Sequence, residues 1–174
     1  MYILYYTMSY ISEQLLTTVL ILDPRDLNND IDNTIKHKLT ETIEGKCHED
    51  GFIVQDSIRI IKRSMGNIVT NNNKSEIKFT IRYKAKVISP SINDELSVVI
   101  NNINKMGVLG YIKLSESDTS KDSPLIIMIP KEYFVDETIR NIDDLTIGQK
   151  IDVVVIGSRI KYRSENIQVI AKPV

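Results

Sequence analysis

The sequence predicts an α+β unit followed by an all-β barrel. Three observations predict it. An amphipathic helix pattern occurs once, early in the chain, and after Pro90 the helical signal almost vanishes. From Ile77 to Val87 apolar and polar residues alternate, as on a half-buried strand whose side chains point to opposite faces with a period of two. Beyond Pro90, short apolar runs divided by turn signals continue to the C-terminus, the pattern of a small barrel.

The elements follow in order. The opening, MYILYYTMSYISEQLLTTVLIL, is apolar, but it has no basic n-region and no small-residue cleavage site. Ser9, Ser12, Glu13 and Gln14 interrupt it, which argues against a signal peptide or membrane span; Met8 is an alternative start. Leu15 to Leu22 is β-branched and apolar and predicts the first strand, and Asp23-Pro24 marks a turn. Leu27, Ile31, Ile35, Leu39 and Ile43 then recur every four residues, one face of a helix. Asn28, Asn29 or Asp30 can cap its start and Gly45 its end. Gly51 to Val54 predicts a second strand, which Ser57 to Ile61 continues or follows. Met65-Gly66-Asn67 reads as a bend and Thr70 to Ser75 as an exposed hairpin loop. The alternating strand comes next, with Ile77, Phe79, Ile81, Tyr83, Ala85 and Val87 on one face and Lys78, Thr80, Arg82, Lys84 and Lys86 on the other. It is long for a strand, which suggests service to two structural units.

The barrel strands are predicted at Leu96 to Ile100, Val108 to Leu114, Leu125 to Ile129, Ile151 to Ile156 and Ile167 to Ala171. Asn101-Asn102, the SESDTSKDS loop and Gly157-Ser158 supply the turn signals. The expected division is an N-terminal unit over 1–86 and a barrel over 87–174, with the long strand bridging them.

Net charge is −1, so global basicity does not announce nucleic acid. Charge is nonetheless uneven: Arg59, Lys62, Arg63, Lys74, Lys78, Arg82, Lys84 and Lys86 are opposed within their span only by Glu76. Such a band attracts phosphates locally, or it simply keeps strand faces soluble; both readings stand at this point. The single cysteine, Cys47, excludes an internal disulfide and fits a reducing compartment. With His37 and His48 it falls short of a four-ligand zinc site. Asp23, Asp26, Asp30 and Asp32 lack the glycine and terminal glutamate of a calcium loop, and read as helix-start charges. Neither a nucleophile elbow, a P-loop nor a dinucleotide fingerprint occurs, so no catalytic site or cofactor is expected.

Within the second unit, Val98-Val99-Ile100 is followed by Asn104-Lys105-Met106-Gly107-Val108-Leu109-Gly110-Tyr111-Ile112. A strand that ends at a tight glycine bend and resumes resembles the S1 type of oligonucleotide/oligosaccharide-binding (OB) barrel. The resemblance extends along the chain. Glu44-Gly45-Lys46-Cys47 with Gly51-Phe52-Ile53, Met65-Gly66-Asn67-Ile68, Arg82-Tyr83-Lys84-Ala85-Lys86-Val87 with Pro90, and Ile156-Gly157-Ser158-Arg159-Ile160 resemble, in order, the motifs of the S1-bearing stalk subunits of DNA-directed RNA polymerase. Members of this family stand in the archaeal enzyme and, as the seventh subunit, in eukaryotic polymerase II. The ordered set covers about Thr17 to Lys172.

The resemblance implies a truncated ribonucleoprotein-like N-terminal domain, an S1-like OB barrel, and a non-catalytic accessory subunit of a multisubunit DNA-directed RNA polymerase. Docking to the large subunits would fall to a tip holding Pro24, Arg25, Leu27, Lys62, Arg63, Met65, Gly66 and Ile68. Contact with nascent single-stranded RNA would fall to Lys105, Tyr111, Lys113, Arg159, Lys161, Tyr162 and Arg163, cations on phosphates and tyrosines stacking on bases. A small helical stalk subunit is the family's usual further partner; no membrane is implied. The chain departs from the pattern at Ile88-Ser89-Pro90-Ser91-Ile92-Asn93-Asp94-Glu95-Leu96, where a phenylalanine, a basic residue and a glycine are gone, and at Val108, where an aromatic is usual. These changes bear on RNA contact more than on fold. The divergence and the abundance of Asn and Ile point to the polymerase of a large DNA virus, acting in nucleus or cytoplasm or packaged in a virion. The alternative is a free-standing S1-type single-stranded RNA-binding protein.

Overall fold

The computed structural model describes residues 9–134 and 141–174. The start at Met8 falls outside them. The described residues are mostly β, with eleven strands and one α-helix. They fall into two compact units, one formed by 12–45 and 53–87, the other by the described parts of 1–11, 46–52 and 88–174.

The first unit is a sheet backed by a helix. Strand β1 spans Ile11–Leu22 and helix α1 spans Ile31–Ile43. Of the three expected caps, Asp30 is the one used, accepting a hydrogen bond from the Asn33 N–H at 3.4 Å. Asn28 acts one step earlier, accepting from the Asp30 N–H at 2.9 Å. Ile35, Leu39 and Ile43 are buried as the spacing predicts. Leu27 is not on that face: it precedes the cap, ends a 3-10 turn over Pro24–Asp26, and is 44% exposed. The four-residue spacing runs past the point where Asp30 starts the helix.

Strands β2 (Cys47–His48) and β3 (Gly51–Ile53) form a short hairpin, and Ile53 joins the first unit's core. Strands β4 (Arg59–Arg63) and β5 (Asn67–Asn71) both pair antiparallel with successive parts of β6 (Lys74–Ile88), the register shifting by one at Ile61 and by one more across the bend between them. They are one strand broken at the expected bend, where the Ser64 N–H still donates to Thr80 O at 2.9 Å. The exposed loop tightens to Asn72-Asn73, both at positive φ (46° and 61°), as a two-residue hairpin turn requires. β1 also pairs with β6. The odd residues of β6 from Ile77 to Val87 are buried against Leu20, Leu22 and α1, and form one core.

The second unit is a closed five-stranded barrel of β7 (Glu95–Asn104), β8 (Gly107–Tyr111), β9 (Leu125–Pro130), β10 (Lys150–Arg159) and β11 (Ile167–Pro173), in the order β10-β11-β9-β8-β7. Its pairs are antiparallel except β9 with β11, which is parallel. This arrangement fits the OB fold. Aliphatic residues fill it, among them Leu96, Val98, Ile127, Val153 and Val169. Two expected turns are corrected. Asn101-Asn102 lies inside β7, and Gly157-Ser158 inside β10; both sit where the register shifts by a bulge. A bulge bends a strand and adds twist, which is what a small barrel needs at its corners. The turn between β7 and β8 is Lys105-Met106, closed by Gly107 at φ +143°, where a Cβ would lie 2.1 Å from the Ile129 carbonyl oxygen.

Candidate functional site

The barrel register brings most of the predicted RNA-contact residues to one end. Tyr111 lies opposite Ile126, Ile126 opposite Gln168, and Gln168 opposite Arg159. These four side chains form a row across four strands, about 14 Å long at ~4.8 Å per strand. Arg159 and Lys161 line a recess of about 180 Å³ with Ser164, Asn166 and Gln168. Lys113 follows Tyr111 at the other end of the row, on a groove of about 880 Å³ shared with Lys150, Glu95 and Asp152. Cations therefore flank the row, with carboxylates beside Lys113. Lys105 is set apart, exposed in the turn at the far end of β8. Gln168 and Lys150 belong to this surface and carry no sequence signal of it, because only the register aligns them.

Tyr162 and Arg163 are held differently. The Arg163 N–H donates to Cys47 O and the Cys47 N–H to Ser164 O, each at 2.8 Å, so the loop after β10 adds to the β2 strand. Arg163 adopts φ +64° there. Tyr162 meets His48 edge to face with ring centroids 5.5 Å apart, and the Arg163 guanidinium lies 5.4 Å from the Tyr162 ring. Tyr162 remains half exposed, yet part of its ring is used inside the protein. Cys47 is buried, and burial pushes its thiol pKa up, which suits a packing role. Among the described residues, no group of three or more His, Cys, Asp and Glu could hold a metal ion. No helix among them is long and apolar enough to cross a membrane.

The predicted docking residues fall in two places on the helix-backed sheet: the turn after β1, and the stretch from Lys62 to Ile68, which runs opposite Arg82 to Ile77 of β6. Asp23 caps the Pro24–Asp26 turn by accepting from the Arg25 N–H, and its carboxylate pairs with the Arg25 guanidinium at 2.9 and 3.0 Å. Those hydrogen bonds hold its pKa well below the usual carboxylate range, and the nearby Lys74 adds to the effect. Lys62 points to the open face of the sheet, opposite Arg82. Arg63 instead ion-pairs with Asp32 in the first turn of α1 and lies over Phe79, 5.9 Å from the ring centroid. That geometry fixes the sheet to the helix. Gly66, at φ +93°, sits against Phe79, where a Cβ would come within 2.8 Å of the ring. Beside it Met65 and Ile68 are 97% and 76% exposed. Two large apolar side chains there are left free of cover.

No family model matches the chain. It is similar to a protein of Acanthamoeba polyphaga mimivirus that is described provisionally as a DNA-directed RNA polymerase subunit. The two are 23% identical over 159 residues, which cover 86% of this chain and 74% of that protein.

Proposed function

We propose that the chain is a non-catalytic subunit of a viral multisubunit DNA-directed RNA polymerase, built on the stalk plan. One observation carries the reading: the similarity to the mimiviral protein spans 159 residues, too many for either compact unit alone. The OB-type barrel and the ordered stalk motifs support the finer form. On this reading the N-terminal unit is the truncated ribonucleoprotein-like tip. It docks on the large subunits through Met65, Ile68, Leu27 and the Pro24–Asp26 turn. The S1-like barrel receives nascent RNA on the row from Tyr111 to Arg159, with Lys113 and Lys161 on phosphates. The protein works inside the cell or is carried in the virion.

The test is purification of the tagged full chain at moderate salt from cells in which its polymerase is made. The large polymerase subunits should accompany it. Their absence, with RNA retained, would leave the free-standing RNA-binding protein as the better reading. For the barrel, reversing Lys113, Arg159 and Lys161 to Glu should weaken single-strand RNA binding. The salt slope should fall by about two, since each lost phosphate contact removes ~0.7. Unchanged affinity and slope would make the barrel a protein-docking module.

A further inference from the structure

The helix-backed sheet has a second face, opposite α1, that no element of its own unit covers. Side chains there are fixed by the alternation. β1 contributes an aliphatic strip of Leu15, Val19 and Ile21, which are 51%, 47% and 55% exposed. β6 and β4 contribute Lys78, Arg82, Lys84 and Lys86 with Arg59 and Lys62. Two of the cross-strand neighbours are like charges, Arg59 opposite Lys84 and Lys62 opposite Arg82. Like charges directly opposite weaken a strand pair. Glu13 relieves the first pair, at 2.9 Å from Arg59 and 3.8 Å from Lys84. Among the described residues no salt bridge neutralises Lys62, Lys78, Arg82 or Lys86. The chain keeps an arrangement that works against its own stability, and a negative charge brought from outside would relieve it.

The face also says which kind of polyanion fits. Single-strand nucleic-acid sites combine cations with aromatic rings on which bases stack. This face carries no aromatic; its apolar side chains are aliphatic and run beside the cations on the neighbouring strand. We propose that it docks a polypeptide segment with aliphatic side chains along one flank and carboxylates along the other. A helix meets the geometry: ~10 Å wide, it covers strands ~4.8 Å apart, and its turns, ~5.4 Å each, place carboxylates near the cations that recur every ~6.7 Å from Arg82 to Lys86 along β6. The face is distinct from the Met65–Ile68 tip, and the proposal holds whether or not the barrel binds RNA.

The test places the photoreactive residue benzoylphenylalanine at Thr80, between Lys78 and Arg82, in the full chain purified with its natural partners. Irradiation should give a protein adduct whose cross-linked peptide is rich in Asp or Glu and carries Leu, Ile or Val. Arg82→Glu should cut the adduct about tenfold. The same change should raise the unfolding midpoint of the free chain by ~1–2 °C, because it turns a like-charge pair into an ion pair. The proposal is overturned by a ribonuclease-sensitive adduct or by an adduct to a second copy of the chain. It is equally overturned by a yield no higher than from the same group at Lys36 on the outer side of α1, or by a yield indifferent to Arg82→Glu. A suitable adduct to a protein outside the polymerase would keep this proposal, and the polymerase reading would still stand or fall on co-purification of the large subunits.

Discussion

The barrel and the helix-backed sheet solve the same problem in opposite ways. The barrel closes on itself, so β7 and β10 pair and no strand edge is left over. The sheet covers one face with α1 and leaves the other face, the β1 edge and the Met65–Ile68 tip open. Open edges and exposed apolar surface are liabilities that soluble proteins suppress unless they are used. The difference is why the proposed docking falls to the sheet unit and the proposed RNA contact to the row from Tyr111 to Arg159 on the barrel.

Core truncations test whether the two units are separately built. Leu39→Ala, in α1, and Ile127→Ala, in β9, remove side chains with no exposed surface and should each cost about 2–5 kcal/mol. Hydrogen exchange should show Leu39→Ala loosening β1 and β6 while β8 and β9 stay protected, with the reverse for Ile127→Ala. Loss of protection everywhere in both variants would merge the units into one cooperative body.

A smaller effect probes the break between β4 and β5. Gly66→Ala adds a Cβ against Phe79 at a left-handed φ and should destabilise the sheet unit by about 1–3 kcal/mol in urea unfolding. A neutral result would mean that Phe79 moves aside freely, and that the tip is not rigidly posed.

The smallest effect is acid lability. The Ser115 hydroxyl and N–H hold the Asp118 carboxyl below its ordinary pKa, the Thr119 hydroxyl and N–H do the same for Asp122, and Arg25 does so for Asp23. A carboxyl with a depressed folded-state pKa stabilises the fold above its unfolded value, about 3.9, and loses that contribution as pH falls toward the folded value. Unfolding midpoints should therefore drop between about pH 4 and pH 2, and Asp118→Asn should flatten that limb. These groups lie at the surface, so the change is small.

Much of this was legible in the sequence. All five barrel strands follow from short apolar runs divided by turn signals, and α1 from its four-residue spacing. The errors arise where local chemistry and tertiary context disagree. Asn101-Asn102 and Gly157-Ser158 have turn composition, but both lie inside strands, at or beside bulges at Asn101 and Ile156. β5 shows no burial pattern because all its residues are exposed, and only its pairing with β6 makes it a strand. Leu27 follows the helical spacing, yet the cap at Asp30 leaves it outside. The candidate RNA row was only half visible. Tyr111 and Arg159 could be named singly, whereas Gln168 and Lys150 need the strand register. The like-charge pairs across β4 and β6 need it too.

The most direct test of tip docking compares two variants of the tagged full chain for retention of polymerase. The tip variant carries Met65→Asp and Ile68→Asp, both at exposed positions that the fold does not need. The barrel variant carries Arg159→Glu and Lys161→Glu. If the tip docks, the barrel variant keeps the large polymerase subunits and the tip variant loses them while remaining folded. Retention by the tip variant, or loss by the barrel variant alone, would contradict it.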